Sequence, residues 1–61
     1  MGSKFEWYRD RGGLWRWHLK APNGLIIADS GQGYKELRTC LAGAYLVKAY
    51  APDAPVVQAG S

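Results

Sequence analysis

The sequence predicts an α+β domain: a three-stranded antiparallel meander packed against one helix. Three observations carry that assignment. Apolar and polar residues alternate through KFEWYR and LWRWHLKA, and turn residues cluster at 10–13 and around Asn23-Gly24. From Leu37 to Val47, apolar residues recur at three- and four-residue spacing.

The first strand is KFEWYR. Alternation sends Phe5, Trp7 and Arg9 to one face, and Glu6 and Tyr8 to the other. DRGG then supplies a turn. In the second strand Trp15, Trp17 and Leu19 share a face, opposite Arg16, His18 and Lys20. Asn23-Gly24 reads as a two-residue type I′ loop, with LIIADS as the returning strand. That loop fixes a register: Ala21 faces Ile26, Lys20 faces Ile27, Leu19 faces Ala28 and His18 faces Asp29. Ile26 and Ala28 then join Trp15, Trp17, Leu19 and Ala21 on the core face.

GQGY breaks the strand pattern, and residues 35 to about 50 read as a helix. Its core stripe is Leu37, Cys40, Leu41, Ala44 and Val47. No Ser, Thr, Asp or Asn stands before Lys35, so the helix start is poorly capped. Ala42, Gly43, Leu46 and Tyr50 are read as lying opposite the stripe, where small residues beside Leu and Tyr suggest a second packing surface. Pro52 and Pro55 end the helix and keep the chain extended. The β-branched pair Val56-Val57 beyond them reads as a short strand around Pro55 to Gln58.

Size sharpens the question of assembly. A chain of 61 residues buries only about 60% of the surface its unfolded form exposes, which leaves a lone core marginal. Domains of this size are stabilised by disulfides, metals or partner subunits. One cysteine, Cys40, allows no internal disulfide, and Cys40 with His18 falls short of the four ligands of a structural zinc site. Aromatic packing and oligomerisation remain. The start MGSKFEWYRD carries charge early and lacks the apolar run of a signal peptide. No stretch reaches the roughly 18 apolar residues that span a bilayer. A single free thiol fits the reducing cytoplasm, and the chain reads as one domain over 4–58, with a disordered or extraneous start at 1–3 and a tail at 59–61.

Candidate chemistry is sparse. The net charge of +3 permits attraction to nucleic acid without demanding it. A nucleic-acid or ligand face would use Arg16, His18 and Lys20, with Tyr8 as its one aromatic. Base-stacking platforms need aromatics and cations on one surface, whereas alternation puts Trp15 and Trp17 on the opposite side. His18 opposite Asp29 could orient an imidazole base, yet no Ser or Cys nucleophile shares that face. GQGYK lacks phosphate-loop spacing, and Tyr34 is read as a plug at the end of the core. Cys40 reads as a small buried hydrophobe. The expectation is therefore no catalytic residues, no metal and no cofactor.

As a set, the residues resemble the YegP-like family of small bacterial domains of unknown function. The matching positions are Phe5, Tyr8, Asp10, Trp15, Arg16, Trp17, Leu19, Lys20, Asn23, Gly24, Ile26, Ala28, Gly33, Tyr34, Gly43, Val47 and Lys48, covering about residues 4 to 55. Departures are Lys35-Glu36 at the helix start, where Thr or Ser is common, and Leu25, where a polar residue is usual. The resemblance implies a β-β-β-α-β unit that is incomplete alone and pairs as a homodimer with exchanged C-terminal strands. It brings no activity with it. Interface residues expected from this reading are Val56, Val57, Leu46, Tyr50 and Gly43. The leading function is a non-enzymatic homodimeric module with an unknown protein partner. The alternative is weak nucleic-acid binding through the basic face.

Overall fold

A computed structural model describes residues 2–60; Met1 and Ser61, at the outer ends of the expected start and tail, lie outside the described residues. Strands β1 (Lys4–Arg9), β2 (Trp15–Lys20) and β3 (Ile26–Asp29) precede helix α1 (Leu37–Tyr50), and a 3₁₀ turn follows at Ala51–Asp53. The sheet is an antiparallel meander in the order β1-β2-β3. The α+β class and the meander are as the sequence predicts.

Both hairpins close by the same device, and it is not the predicted two-residue loop. The Asp10 amide donates to Leu14 O at 2.8 Å and the Gly13 amide to Asp10 O at 3.0 Å. The Ala21 amide likewise donates to Leu25 O at 2.8 Å and the Gly24 amide to Ala21 O at 2.9 Å. Each loop thus has three residues, ending on a glycine of positive φ: Gly13 at 85° and Gly24 at 90°. A type I′ turn requires positive φ at Asn23 as well, and no non-glycine residue among those described has it. Pro22, with its φ fixed near −65°, suits the first position of the longer loop.

The longer loop changes the register locally. Lys20 pairs with Ile26 rather than Ile27, and a bulge between Leu19 and Lys20 absorbs the extra residue. Beyond it, Leu19 pairs with Ala28 and His18 with Asp29 as predicted. Ile26 is corrected by this shift: it pairs with Lys20, stands exposed, and is no part of the core. Helix α1 packs on β2 and β1 and leaves β3 uncovered, so Leu25, Ile26 and Ile27 all remain exposed.

Trp17, Cys40 and Ala44 form the buried core, flanked by Phe5, Trp15, Tyr34 and Val47. Phe5 meets Trp17 edge-on at 5.5 Å. Tyr34 closes one end, as expected, and its backbone continues the sheet: its amide donates to Trp15 O at 2.8 Å, and the Trp15 amide donates back at 2.7 Å. The helix begins at Leu37 rather than Lys35, with Glu36 at the cap position making no side-chain cap bond. Pro52 ends α1 through the 3₁₀ turn rather than an immediate extended segment. Residues 54–58 run without regular structure in the single chain, so the expected strand at Pro55–Gln58 has no counterpart here.

Candidate functional site

Alternation along β1 and β2 collects the polar residues on the sheet face away from α1. Their pairing across the ladder is Lys4 with Lys20, Glu6 with His18 and Tyr8 with Arg16. Glu6 is the hub of this face. Its carboxylate lies 2.7 Å from His18 Nε2, 3.2 Å from Lys20 Nζ and 3.3 Å from Lys4 Nζ. Hydrogen bonding from His18, then from Lys20, draws the Glu6 pKa down to about 2.

The second charged pair is Arg16 Nε with Asp10 Oδ2 at 2.6 Å. Asp10 also accepts from the Leu14 amide at 2.9 Å. Its carboxyl is held below the usual range by Arg16 first and by that amide second. The Arg16 guanidinium is raised in turn, chiefly by Asp10. Tyr8 stacks obliquely beside His18 with ring centroids 5.2 Å apart.

The four candidate residues Tyr8, Arg16, His18 and Lys20 do share one face. Their electrostatics differ from the expectation. His18 engages Glu6, whereas Asp29, its register partner, accepts from the Gly31 amide at 2.9 Å. The β1–β2 register decides that choice, and the DRGG loop, read as three residues, would have revealed it.

A second feature escaped sequence reasoning. Between β1 and α1 lies a groove of about 450 Å³ lined by Phe5, Trp7, Trp17, Leu41, Tyr45 and Lys48, among others. Lys48 Nζ sits 5.6 Å over the Tyr45 ring. On the other flank of the helix, Leu46, Val47, Tyr50, Ala51 and Ala54 line a shallow apolar depression. Leu46, Tyr50, Val56 and Val57 are all exposed in the single chain.

Gly43 requires a correction. A Cβ built on it would lie 3.2 Å from Tyr34 Oη and 3.5 Å from Trp17 Nε1. It therefore faces the core rather than the back of the helix. At 3.6 residues per turn, Gly43 stands about 100° from the centre of the stripe, on its flank. Cys40, as expected, is fully buried, and burial pushes its thiol pKa up.

Among the described residues no three His, Cys, Asp or Glu side chains gather where they could hold a metal ion. No helix among them is long and apolar enough to cross a membrane.

Comparison with known proteins adds a family. The profile of the domain of unknown function DUF1508 matches residues 10–58. The chain is 51% identical over 55 residues to a UPF0339 protein from Methanosarcina acetivorans, covering 90% of this chain and 93% of that protein. A UPF0339 protein from Treponema denticola is 45% identical over 58 residues, covering 95% and 98% of the two chains. A UPF0339 protein from Stutzerimonas stutzeri, in the ptx operon 5′ region, is 47% identical over 53 residues; the match covers 87% of this chain and 47% of that protein. The solution structure of a protein from Haloferax volcanii superimposes with a TM-score of 0.86 at 41% identity, covering 95% and 97% of the two chains. The archaeal relatives widen the bacterial range that the resemblance implied. By sequence, coverage and fold together, the chain belongs to the DUF1508 domain family, the UPF0339 proteins, with which its YegP-like pattern is consistent.

Proposed function

We propose that this chain is a non-enzymatic homodimeric module that serves protein interactions, with its C-terminal segment exchanged between the two copies. The observation that carries this reading is surface. The single chain exposes 4999 Å², against roughly 3,900 Å² for a compact monomer of its mass. The excess, roughly 1,100 Å², is the amount one partner contributes to a stable protein interface, about 800 Å² or more. Its radius of gyration, 12.9 Å, likewise exceeds the roughly 10.5 Å of a compact domain this long.

Four exposed apolar side chains, Leu46, Tyr50, Val56 and Val57, support the reading, since a second copy packed on them would remove them from water. Exchanging a terminal segment across a two-fold axis is a low-cost route to such a dimer. The Stutzerimonas relative, of which this chain matches 47%, has room for a second unit in one polypeptide, in keeping with a module that works in pairs. The fully buried thiol of Cys40 suits a cytoplasmic protein that needs no disulfide.

Nucleic-acid binding through Arg16, His18, Lys20 and Tyr8 has less support, because Glu6 and Asp10 already engage those cations. Deleting residues 54–61 tests the leading reading. The truncated chain is expected to sediment as a monomer and to melt at a lower temperature than the full chain. A truncated chain that remains dimeric refutes the exchange.

A further inference from the structure

We propose that Asn23-Gly24 is a self-modification site, at which Asn23 converts to aspartate and isoaspartate at a rate controlled by opening of the β2–β3 hairpin. The site stands apart from the dimeric reading above.

The chemistry belongs to the dipeptide. The backbone nitrogen of Gly24 attacks Cγ of Asn23; the N–Cγ bond forms, the Cγ–Nδ2 bond breaks, and ammonia leaves. Hydroxide takes the Gly24 amide proton, and water supplies the proton that departs with Nδ2. Water then opens the succinimide. Opening at the side-chain carbonyl gives aspartate, and opening at the main-chain carbonyl gives isoaspartate, whose backbone runs through Cγ. Glycine has no Cβ to obstruct the approach. Asn23 is the one asparagine of the chain, and either product lowers the net charge of +3 by one.

In the folded hairpin both reacting groups are held. The Gly24 amide donates to Ala21 O at 2.9 Å, which keeps its proton from hydroxide. The Asn23 side chain is pinned from the other side, its Oδ1 accepting from the Leu25 amide at 3.0 Å. Pro22 and Asn23 are the central residues of this turn, and Asn23 has no positive φ, so the turn is type I and not type II. Each bond holds the other in place, and attack requires both to break.

This hairpin is also the part of the sheet least tied to the core. Helix α1 contacts β1 and β2 but not β3. Leu25, Ile26 and Ile27 are all more than half exposed, and the ladder is interrupted beside the loop, between Leu19 and Lys20. A segment with few buried contacts opens locally, without global unfolding. The two products then differ in consequence. Aspartate can still accept from the Leu25 amide as asparagine does, so the loop closes again. Isoaspartate adds a carbon to the backbone within a three-residue loop and leaves β3 frayed.

The test follows conversion by intact mass and ion exchange at mildly alkaline pH, in buffer and in denaturant, with isoaspartyl methyltransferase labelling to count isoaspartate. Folded parent chain is expected to convert at least about tenfold more slowly than denatured chain. Pro22, which is exposed, fixes the loop backbone; Pro22→Gly leaves the dipeptide intact and frees the loop. That variant, its fold verified by circular dichroism, should convert at the parent rate in denaturant and several-fold faster in buffer. Asn23→Asp should melt near the parent. Equal rates for folded and denatured parent overturn the proposal, as does a folded Pro22→Gly chain no faster than the parent. A folded parent that yields no product while the denatured chain converts fully also overturns it.

Discussion

Gly43→Ala sets two physical effects against each other, and the structure decides the sign. Helix propensity alone favours alanine over glycine by about 1 kcal/mol in a helix interior. The new methyl, however, would stand 3.2 Å from Tyr34 Oη and 3.5 Å from Trp17 Nε1. Tyr34 has little freedom to withdraw, since its backbone is bonded in both directions to Trp15. Forcing a methyl into a packed site costs about 1–3 kcal/mol, so the expected net is a loss of about 1 kcal/mol. In a domain of this size that lowers Tm by about 4–8 °C.

Thermal melts at one fixed chain concentration measure it, because the proposed dimer would make Tm concentration-dependent. Tyr34→Phe provides the control. With the hydroxyl gone, the nearest Tyr34 ring atom is Cζ at 3.8 Å, and Gly43→Ala in that background should recover part or all of its propensity gain. A stabilising Gly43→Ala in the parent, or one indifferent to Tyr34→Phe, refutes the placement of Gly43 against the core.

Two further outcomes follow from the site and the core. The Glu6 pKa of about 2 lies below its unfolded value near 4.5, so its contribution to stability is complete above pH 4.5. It is lost as pH falls from about 4.5 to 2; Glu6→Gln should flatten Tm against pH across that window, and an unchanged slope contradicts the role of Glu6 as hub. Cys40 should resist a thiol reagent in the folded chain and react promptly in denaturant. Cys40→Ser, which buries a hydroxyl among apolar neighbours, should cost about 1–3 kcal/mol by denaturant melt.

Period-two and helical patterning were enough to read the architecture, because burial imposes both periods directly on side-chain choice. Trp17 and Cys40 were legible as core for that reason. The register at Leu19–Ala28 and His18–Asp29 came out right through two offsetting departures. The loop is one residue longer than Asn23-Gly24 suggests, and the bulge between Leu19 and Lys20 takes that residue back. Loop length depends on backbone φ at Asn23, which the dipeptide does not dictate when Pro22 precedes it.

The site was half legible. Alternation put Glu6 on the face of His18 and Lys20, but which acid His18 takes depends on distances across the ladder. Gly43 was misplaced because a helical wheel measures angle from a stripe, not the reach of Tyr34 toward the helix flank. The groove beside β1 leaves no local mark at all. It forms where α1 crosses the sheet edge, and Trp7, Leu41 and Tyr45 converge only there.

The mass of the intact chain in solution tests the central claim most directly. Sedimentation equilibrium at tens to hundreds of micromolar should give twice the 6.7 kDa chain mass, falling toward a single chain on dilution. A mass of one chain throughout that range contradicts the account: the surplus surface would then be that of a stable monomer, and the exposed Val56-Val57 pair would need no second copy.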